Sequence, residues 1–493
     1  MVILALLGPW IVLALVAPFR RPVGLVTSAQ GALPLVSVGA ALTLTWTVLK
    51  TGPVSGGWPD WFRIDPLSAF MACCVSIVGA GTMVSEALTR SARTRASATA
   101  VPATDDERAA RRVATYGSLF VLAMLAAVTV GNVALMWTAI EATTIMSAIL
   151  IPLRRTKASV EASWKYILIG SVGIALAFAG TVLAYVGFAG RMGRQEHALD
   201  WTLLMSVAPG LQPDLLHLAF VFLVVGYGTK AGWAPMHTWL PDAHSESPAP
   251  LSAMMSGVLL AVAQYAILRW KAVVDLASGG AFTDQVLVVF AMLSIGIGAL
   301  SLVLQKNYKR LLAYSSVEHS GLVCLGLTFG PAGVFASLLH ILNHALAKSA
   351  SFLLAGRILR RYGSPDIERV RGLLRAMPGT GPLFAAGLLA LMGFPPFGIF
   401  ISEFLLFRAG FSSGHVRLTL VALLLVGIGF VALAGHLVRM LYGAVPEDVP
   451  PGETERRGLA VMVVCLLGLV ALGLVLPDAV SGLISRAAEA NVL

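Results

Sequence analysis

Apolar residues occur along this chain in runs of about 20, separated by short stretches that contain Pro, Gly or charged residues. A run of that length forms a helix of about 30 Å, which is long enough to cross the hydrocarbon core of a bilayer. The runs therefore predict an all-α polytopic membrane protein with about fourteen transmembrane helices. We place the spans at residues 2–19, 28–49, 66–88, 114–130, 132–153, 164–187, 214–245, 249–269, 285–304, 309–329, 332–356, 381–408, 417–442 and 458–476.

The composition agrees with a membrane protein and limits its chemistry. Of the 493 residues, 57% are apolar and 12% are charged, whereas soluble domains average about 45–50% and 25%. The chain has four cysteines, but the C-x-x-C spacing of a metal or redox centre does not occur. Glycine-rich dinucleotide motifs and phosphate loops do not occur either. We therefore expect no cofactor, no metal and no redox centre, so a redox role would need partner subunits.

The distribution of positive charge predicts the orientation of the chain. Of its 35 Lys and Arg residues, 24 fall in or beside loops that follow odd-numbered spans, and two, Lys230 and Lys348, lie deep within spans. The other nine are Lys50, Arg63, Arg191, Arg194, Arg269, Lys271, Arg408, Arg417 and Arg486. By the positive-inside rule, the odd loops are cytoplasmic and both termini are non-cytoplasmic, in the inner (plasma) membrane. The net charge of +10 then reflects topology and not nucleic-acid binding, and residues 90–112 are expected to form a solvated cytoplasmic loop.

Two residues of opposite charge lie inside predicted spans. Glu141 is about nine residues into the fifth span, near the middle of the membrane, and Lys230 lies in the seventh. A charge at the centre of a span costs about 2.5 kcal/mol or more, so each needs a partner or a water-filled cavity. We expect the two residues to be functional partners. The alternative is a static buried ion pair that only fixes packing.

The seventh and twelfth spans are expected to be broken helices. The seventh would be about 48 Å long if straight, and it contains Pro235 followed by His237; the twelfth contains Pro396 followed by Glu403. Broken helices in transporters expose backbone polar groups beside a hydrated path. Five spans separate the two breaks, which predicts two five-helix repeats. The expected organisation is an N-terminal region 1–113, a first repeat 114–270, a second repeat 271–442 and a C-terminal helix in 443–493.

The eleventh span carries His340, His344 and Lys348 at intervals of four residues, so they share one face of a helix. The two histidines have a spacing that would suit a metal, but no carboxylate or thiol follows at ligand spacing, which leaves that site incomplete. Imidazole both accepts and donates protons near neutral pH, and a buried lysine can lose its proton. We therefore favour a chain of proton-exchanging groups.

Several segments together resemble the antiporter-like membrane subunits of respiratory complex I, a family that includes the main subunits of multisubunit cation/proton antiporters and membrane-bound hydrogenases. Besides the helix around Glu141, the segments are KYILIGS from Lys165, KAGWAPMHTWLPDAHSESPAP from Lys230, KRLLAYSSVEHSGL from Lys309, HILNHALAKS from His340 and GFPPFGIFISEF from Gly393. They run in order from the fourth span through the twelfth. Within this family, the segments SSVEHSGL and PPFGIFISEF are most similar to the F-type subunit of hydrogenase-4 and formate hydrogenlyase.

The resemblance implies a fourteen-helix fold with two inverted repeats and a proton channel along a polar axis in the middle of the membrane. It implies that Glu141 and Lys230 gate the first half-channel. The other implied or expected members of the pathway are His237, Glu318, His319, His340, His344, Lys348 and Glu403, the last as the terminal carboxylate of the second half-channel.

The sequence departs from this family at one position of the expected axis. Members of the family usually carry a lysine in the eighth span, about where Ala261 stands here. The central connection then needs water, with Gln264 or His237 nearby, because alanine has no group to exchange a proton. We predict a hydrated polar cavity that runs from Lys230 past His237 toward His344.

Two transport functions and one non-transporting role fit these patterns. The favoured hypothesis is a proton-translocating subunit of a multisubunit, redox-driven complex of the hydrogenase-4 or complex I type, with other membrane subunits and a soluble driving module as partners. The alternative is a redox-independent cation/proton antiporter subunit or a proton-coupled inorganic-carbon uptake subunit. A third possibility, a scaffold that moves no ions, predicts that neutralising Glu141 and Lys230 has no effect on activity.

Overall fold

The protein, described here from a computed structural model, is almost entirely helical over residues 1–18, 23–56, 61–96, 104–193, 197–453 and 456–489, the part of the chain that the structure describes. Its helices are α1 Val2–Val16, α2 Val23–Thr51, α3 Pro66–Ala96, α4 Thr104–Thr129, α5 Val133–Leu150, α6 Lys157–Met192, α7 Trp201–Val207, α8 Pro213–Ala231, α9 Trp239–Glu246, α10 Ala249–Met254, α11 Leu260–Ser278, α12 Ala281–Val303, α13 Tyr308–Gly326, α14 Gly330–Tyr362, α15 Leu373–Ala376, α16 Thr380–Leu391, α17 Gly398–Ser412, α18 Val416–Leu441, α19 Leu459–Leu474 and α20 Asp478–Glu489. Two short antiparallel strands, β1 Val54–Gly56 and β2 Phe62–Ile64, pair Val54 with Ile64.

Each predicted span corresponds to one helix or to a pair of helices in this order. Eleven helical segments of the described residues are long and apolar enough to cross a membrane. The rest of the predicted spans correspond to α13, which has 19 residues but carries Lys309, Arg310 and Glu318, and to the shorter helices α1, α16 and α17. The division between the fourth and fifth predicted spans is real, because the Asn132 side chain caps α5 by accepting hydrogen bonds from the backbone N–H groups of Ala134 and Leu135 at 2.9 and 3.3 Å. The all-α polytopic fold is confirmed.

The expected solvated loop over residues 90–112 is wrong for most of its length. Helix α3 continues to Ala96 and α4 begins at Thr104, so only residues 97–103 lie outside the described residues. Arg90 forms an ion pair with Glu86 one turn earlier, and its guanidinium also donates to the backbone carbonyl of Ala110. Ala and Arg both have a high intrinsic helix propensity, so the sequence there favours helix.

Both predicted breaks are present. Helix α8 ends at Ala231, Gly232 follows with a left-handed φ of 73°, and α9 resumes at Trp239 after a short 3-10 turn. Helix α16 ends at Leu391, Gly393 has φ 65°, and α17 begins at Gly398. A single π-helical turn at Met255–Leu259 joins α10 to α11. Irregular backbone of this kind is tolerated at membrane depth only where protein or a water-lined cavity surrounds it.

The broken helix is the fourth member of a five-helix set that occurs twice. The first set is α4, α5, α6, α8 with α9, and α10 with α11; the second is α12, α13, α14, α16 with α17, and α18. An odd number of crossings makes the second set enter the membrane from the opposite side, which is the geometry of an inverted repeat. The assignment of sequence ranges to the two repeats stays a prediction.

The centre of the molecule lies between the two sets. The most apolar stretch of α10 and α11 is completely buried and that of α14 is 89% buried, whereas the corresponding stretches of α12 and α18 are 39% and 22% buried. Helix α13 packs against both α12 and α14, and α17 packs against α14. Polar side chains on α8, α11, α13 and α14 are therefore held away from lipid.

Candidate proton-transfer axis

The first group of the axis joins Glu141 of α5 to Lys230 at the end of α8 through a third residue. The Thr144 hydroxyl donates to Glu141 Oε2 at 2.9 Å and accepts a hydrogen bond from Lys230 Nζ at 2.5 Å. Thr144 lies three residues after Glu141 and thus on the same face of α5. The structure therefore brings the two predicted partners together with one hydroxyl between them.

The Lys230 side chain is completely buried, and among the residues that the structure describes its hydrogen bonds go to hydroxyl groups and not to a carboxylate. Its ammonium group lies 4.8 Å from the centre of the Tyr166 ring and 3.4 Å from the Tyr166 hydroxyl, which in turn accepts from Ser147 at 2.8 Å. A Cβ at Gly170 would lie 3.3 Å from Lys230 Nζ, so the glycine leaves space for the ammonium. Lys230 also lies in the last turn of α8, where the C-terminal carbonyls favour positive charge.

A polar bridge connects the end of α8 to α13 in the centre of the molecule. The Gln264 amide of α11 donates to the Ser320 hydroxyl at 2.7 Å, and Ser320 donates to the backbone carbonyl of Ala231 at 2.7 Å. Trp233 Nε1 donates to the same hydroxyl at 3.0 Å. Ser320 follows His319 directly along α13, so this bridge joins the backbone next to Lys230 to the backbone next to His319.

The position of the expected family lysine is apolar. Ala261 is buried within the main hydrophobic cluster, and Gln264, one turn further along α11, makes the polar contacts described above. His237 packs edge-on against the Tyr314 ring at 6.2 Å, and its Nδ1 atom is buried without a hydrogen-bond partner in the part of the chain that the structure describes. The predicted hydrated route past His237 stays a prediction.

Lys348 of α14 is completely buried and is held by α13. Its ammonium donates to the backbone carbonyl of Leu312 at 2.7 Å and to the Ser315 hydroxyl. Glu318 lies one turn after Ser315 on the same helix, packed so closely on α18 that a Cβ at Gly429 would meet its carboxylate at 2.5 Å. Its Oε1 atom is buried without a hydrogen-bond partner among the described residues.

His319, His340 and Glu403 form a compact cluster in the second set of helices. His319 Nδ1 lies 3.0 Å from His340 Nε2 and 3.8 Å from Glu403 Oε1. His319 Nε2 bonds to the backbone carbonyl of Leu391 at 3.0 Å, and His340 Nδ1 lies 3.0 Å from the Ser402 hydroxyl. Helices α13, α14 and α17 each supply one member of the cluster, which therefore lies beside the break between α16 and α17.

His344 lies next to this cluster, with its ring centre 5.3 Å from that of His319 and 6.4 Å from that of His340. Its Nε2 atom is buried without a hydrogen-bond partner among the residues that the structure describes. His244 of α9, which the sequence did not assign to the pathway, stacks on Phe352 of α14 at 5.0 Å. The predicted second group is therefore assembled around α13 and α14, with His237 as the member that is set apart.

Sequence reasoning missed the hydroxyl groups that hold these residues. Thr144 follows Glu141 at helical spacing and could have been found from that spacing. Ser315, Ser320 and Ser402 lie on other helices than the side chains they contact, so the linear sequence carries no signal for them.

Residues 130–429 match the family model described as NADH:quinone oxidoreductase/Mrp antiporter, transmembrane region, and the chain belongs to that family. It is 39% identical to the hydrogenase-4 component F homolog of Methylacidiphilum infernorum over 65% of this chain and 67% of the relative. It is also 30% identical to NADH-quinone oxidoreductase subunit N of Desulforudis audaxviator over 95% and 93% of the two chains. Its fold matches a chain of the membrane-bound sulfane sulfur reductase, an archaeal respiratory membrane complex, with a TM-score of 0.84, 24% identity and coverage of 100% and 99%. The resemblance inferred from the sequence motifs is confirmed.

Proposed function

We propose that this chain is a proton-translocating membrane subunit of a multisubunit, redox-driven complex. The observation that carries the proposal is a series of intramembrane titratable side chains, which runs from the half-buried Glu141 and the buried Lys230 through the Ser320 bridge to the buried Lys348, His319, His340 and Glu403. Intramembrane ionisable residues are costly and mark ion or proton paths in membrane proteins. Membership of the NADH:quinone oxidoreductase/Mrp antiporter family supports the same function.

Electrostatic coupling between neighbouring groups supplies the mechanism. When Lys230 loses or gains a proton, its hydrogen bond through Thr144 to Glu141 changes, and so does the field at the end of α8. The Gln264 and Ser320 bridge places this change beside the second group. Moving one charge against 100 mV takes about 2.3 kcal/mol, which is the free energy of a pKa shift of under two units. Modest electrostatic coupling between neighbouring groups is therefore enough to drive the transfer.

The driving force comes from partner subunits in this proposal. The sequence contains none of the motifs that bind redox centres or nucleotides. Relatives named as a hydrogenase-4 component and as an NADH-quinone oxidoreductase subunit support a soluble redox module as the driver. The family description also includes Mrp antiporters, which supports cation/proton antiport as the second candidate. Proton uptake that depends on external Na⁺ and not on an electron donor would favour antiport.

The test is proton uptake by the purified native complex in proteoliposomes. Glu141→Gln removes the carboxylate that Thr144 connects to Lys230, so we expect at least a tenfold slower uptake at an unchanged amount of assembled complex. Cys324→Ser is the control, because Cys324 is a completely buried thiol of α13 outside the axis. Equal losses in the two variants would mean that the effect lies in folding, and full activity of Glu141→Gln would contradict the proposal.

We also propose that both termini are non-cytoplasmic, as the count of cations predicts. A cysteine introduced at Arg108, at the start of α4, is then cytoplasmic, and one introduced at Asp214, at the start of α8, is external. In intact cells, a membrane-impermeant thiol reagent should label only the cysteine at position 214. Labelling of the cysteine at position 108 would contradict this orientation and indicate the opposite one. Arg194, another residue predicted to be external, lies outside the described residues.

A further inference from the structure

When both rings are neutral, the hydrogen-bond partners of His319 and His340 decide which ring nitrogen of each carries the proton. A backbone carbonyl only accepts, so His319 Nε2 donates to Leu391 and leaves Nδ1 as a lone pair. Ser402 donates its single proton to the backbone carbonyl of Ile399 at 2.9 Å, so its oxygen accepts from His340 Nδ1. The Nε2 atom of neutral His340 is then also a lone pair.

Both neutral rings therefore present an unprotonated nitrogen to the same small space beside Glu403. His319 Nδ1 and His340 Nε2 are 3.0 Å apart, and Glu403 Oε1 lies 3.8 Å from the first. The ligand atoms of all three residues lie within 4.8 Å of one another. A proton on one ring would join the two nitrogens as a hydrogen bond beside Glu403, and a metal cation would be bound by all three groups, so the cluster is suited to hold positive charge.

We propose that His319, His340 and Glu403 form a binding site for Zn²⁺ and chemically similar divalent transition metals. Tetrahedral zinc has ligand bonds of about 2.0–2.2 Å, which separates its ligand atoms by roughly 3.3 Å, close to the observed spacings. Two imidazoles and one carboxylate with an open fourth position are a donor set that zinc uses in proteins. Calcium and magnesium prefer oxygen ligands and would bind poorly.

The groups around the cluster are those expected around metal-bound histidines. Such histidines donate their second ring N–H to a carbonyl, a carboxylate or another oxygen acceptor, which fixes the ring and its tautomer. The Leu391 carbonyl is the acceptor for His319, and the Ser402 hydroxyl is the acceptor for His340. The sequence argument against a metal considered only His340 and His344 on one helix, whereas the fold supplies His319 from α13 and Glu403 from α17.

Glu403 is the least buried of the three ligands. Its side chain is 10% exposed, compared with 3% for His319, and it lies at the break between α16 and α17. Gly393 gives the carboxylate its space, since a Cβ there would lie 2.1 Å from Glu403 Oε2. If the proposed proton function is correct, bound zinc occupies three exchanging groups at once and stops proton transfer through the second group.

Zinc binding is tested on the purified native complex with zinc added alone, in wild type and in His319→Gln, Glu403→Gln and Ser402→Ala. X-ray absorption at the zinc edge is measured for wild type and for His319→Gln. The difference between the two should correspond to one zinc per chain with two nitrogen ligands and one oxygen ligand. Each ligand variant should weaken zinc binding at least tenfold, and Ser402→Ala by about tenfold because His340 loses its acceptor. Added Mg²⁺ or Ca²⁺ should not compete.

His436→Gln is the matched control, because His436 is another buried histidine, bonded to the carbonyl of Leu302 and outside the cluster. Zinc binding that is unchanged in Glu403→Gln and Ser402→Ala, or equally weakened in His436→Gln, would overturn the site. Zinc should also inhibit proton uptake at the concentration that fills the site. If the wild-type complex moves no protons without zinc, the proposed function fails, while the zinc site is decided by binding alone.

Discussion

At the scale of single residues, Thr144 is the contact on which the first half of the axis depends. Its one hydroxyl accepts from Lys230 and donates to Glu141, so both charged groups are satisfied by the same atom. A buried polar group that loses its partner costs about 1–3 kcal/mol, more when it is charged. The contact between Glu141 and Lys230 should therefore be sensitive to loss of the Thr144 hydroxyl, even when both charged residues are kept.

We expect Thr144→Val to slow proton uptake by about tenfold or more, since valine keeps the shape of threonine and removes only the hydroxyl. Thr143→Val is the matched control, because Thr143 is the neighbouring buried threonine and its hydroxyl donates within its own helix, to the carbonyl of Ile140. Uptake measured in proteoliposomes should separate the two variants. The same rate in both would show that the Thr144 hydroxyl takes no part in transfer.

At the scale of elements, α9 is held by the first turn of α13. The buried ammonium of Lys309 donates to the backbone carbonyls of Ser245 and Ser247 at 2.6 and 2.8 Å, at the C-terminal end of α9. The next residue, Arg310, pairs with Asp242, which also contacts Lys165 of α6 at 3.1 Å. The second half of the broken helix in the first repeat is thus fixed by a helix of the second repeat.

Lys309→Met should release the end of α9. The buried ammonium satisfies helix-terminal carbonyls that have few other donors, so we expect amide hydrogen exchange over residues 239–246 to become about tenfold faster. Lys306→Met, three residues earlier and outside α13, is the control and should leave that exchange unchanged. Unchanged exchange in both variants would show that α9 is held by its apolar packing alone.

At the scale of the whole molecule, a buried ion pair joins the segment before α19 to α14 and α16. Arg357 bonds to Glu453 at 2.9 Å, and the Thr380 hydroxyl donates to the same carboxylate at 2.6 Å. Burial by itself would raise the pKa of Glu453, but the hydrogen bonds from Thr380 and Arg357 outweigh it and hold that pKa below its usual value. The contacts with Arg357 and Thr380, which lie outside the membrane, therefore favour the ionised form of the Glu453 carboxylate.

The sign of the pH dependence follows from this lowered pKa. Stabilisation by Glu453 is complete above the pKa of the unfolded chain, about 4.3, and is lost as the pH falls through the lower folded value. At pH 7, Glu453→Gln should lower the stability of the chain by ~1–3 kcal/mol. Thermal unfolding in detergent should show this difference shrinking as the pH falls below about 4. A difference that stays constant down to that pH would contradict the charged role of Glu453.

The sequence by itself determined the helices, their breaks and the class of the protein. In a bilayer every backbone polar group needs an internal partner, so long apolar runs have no choice but to be helices. Gly232 and Gly393, each close to a proline, interrupt those runs for equally local reasons of backbone geometry. The interval of four residues likewise puts His340, His344 and Lys348 on one face of α14, because a helical turn is close to four residues long.

Only the tertiary structure decided which of these side chains touch. His340 contacts His319 of α13 and Ser402 of α17, and Lys348 bonds to Leu312 and Ser315 of α13. Such contacts depend on the rotation and offset of packed helices, which the apolar runs leave open because lipid and protein interior are almost equally apolar. For the same reason, the order of residues along the chain did not reveal the polar bridge from Gln264 to Ser320 or the cluster that Glu403 completes.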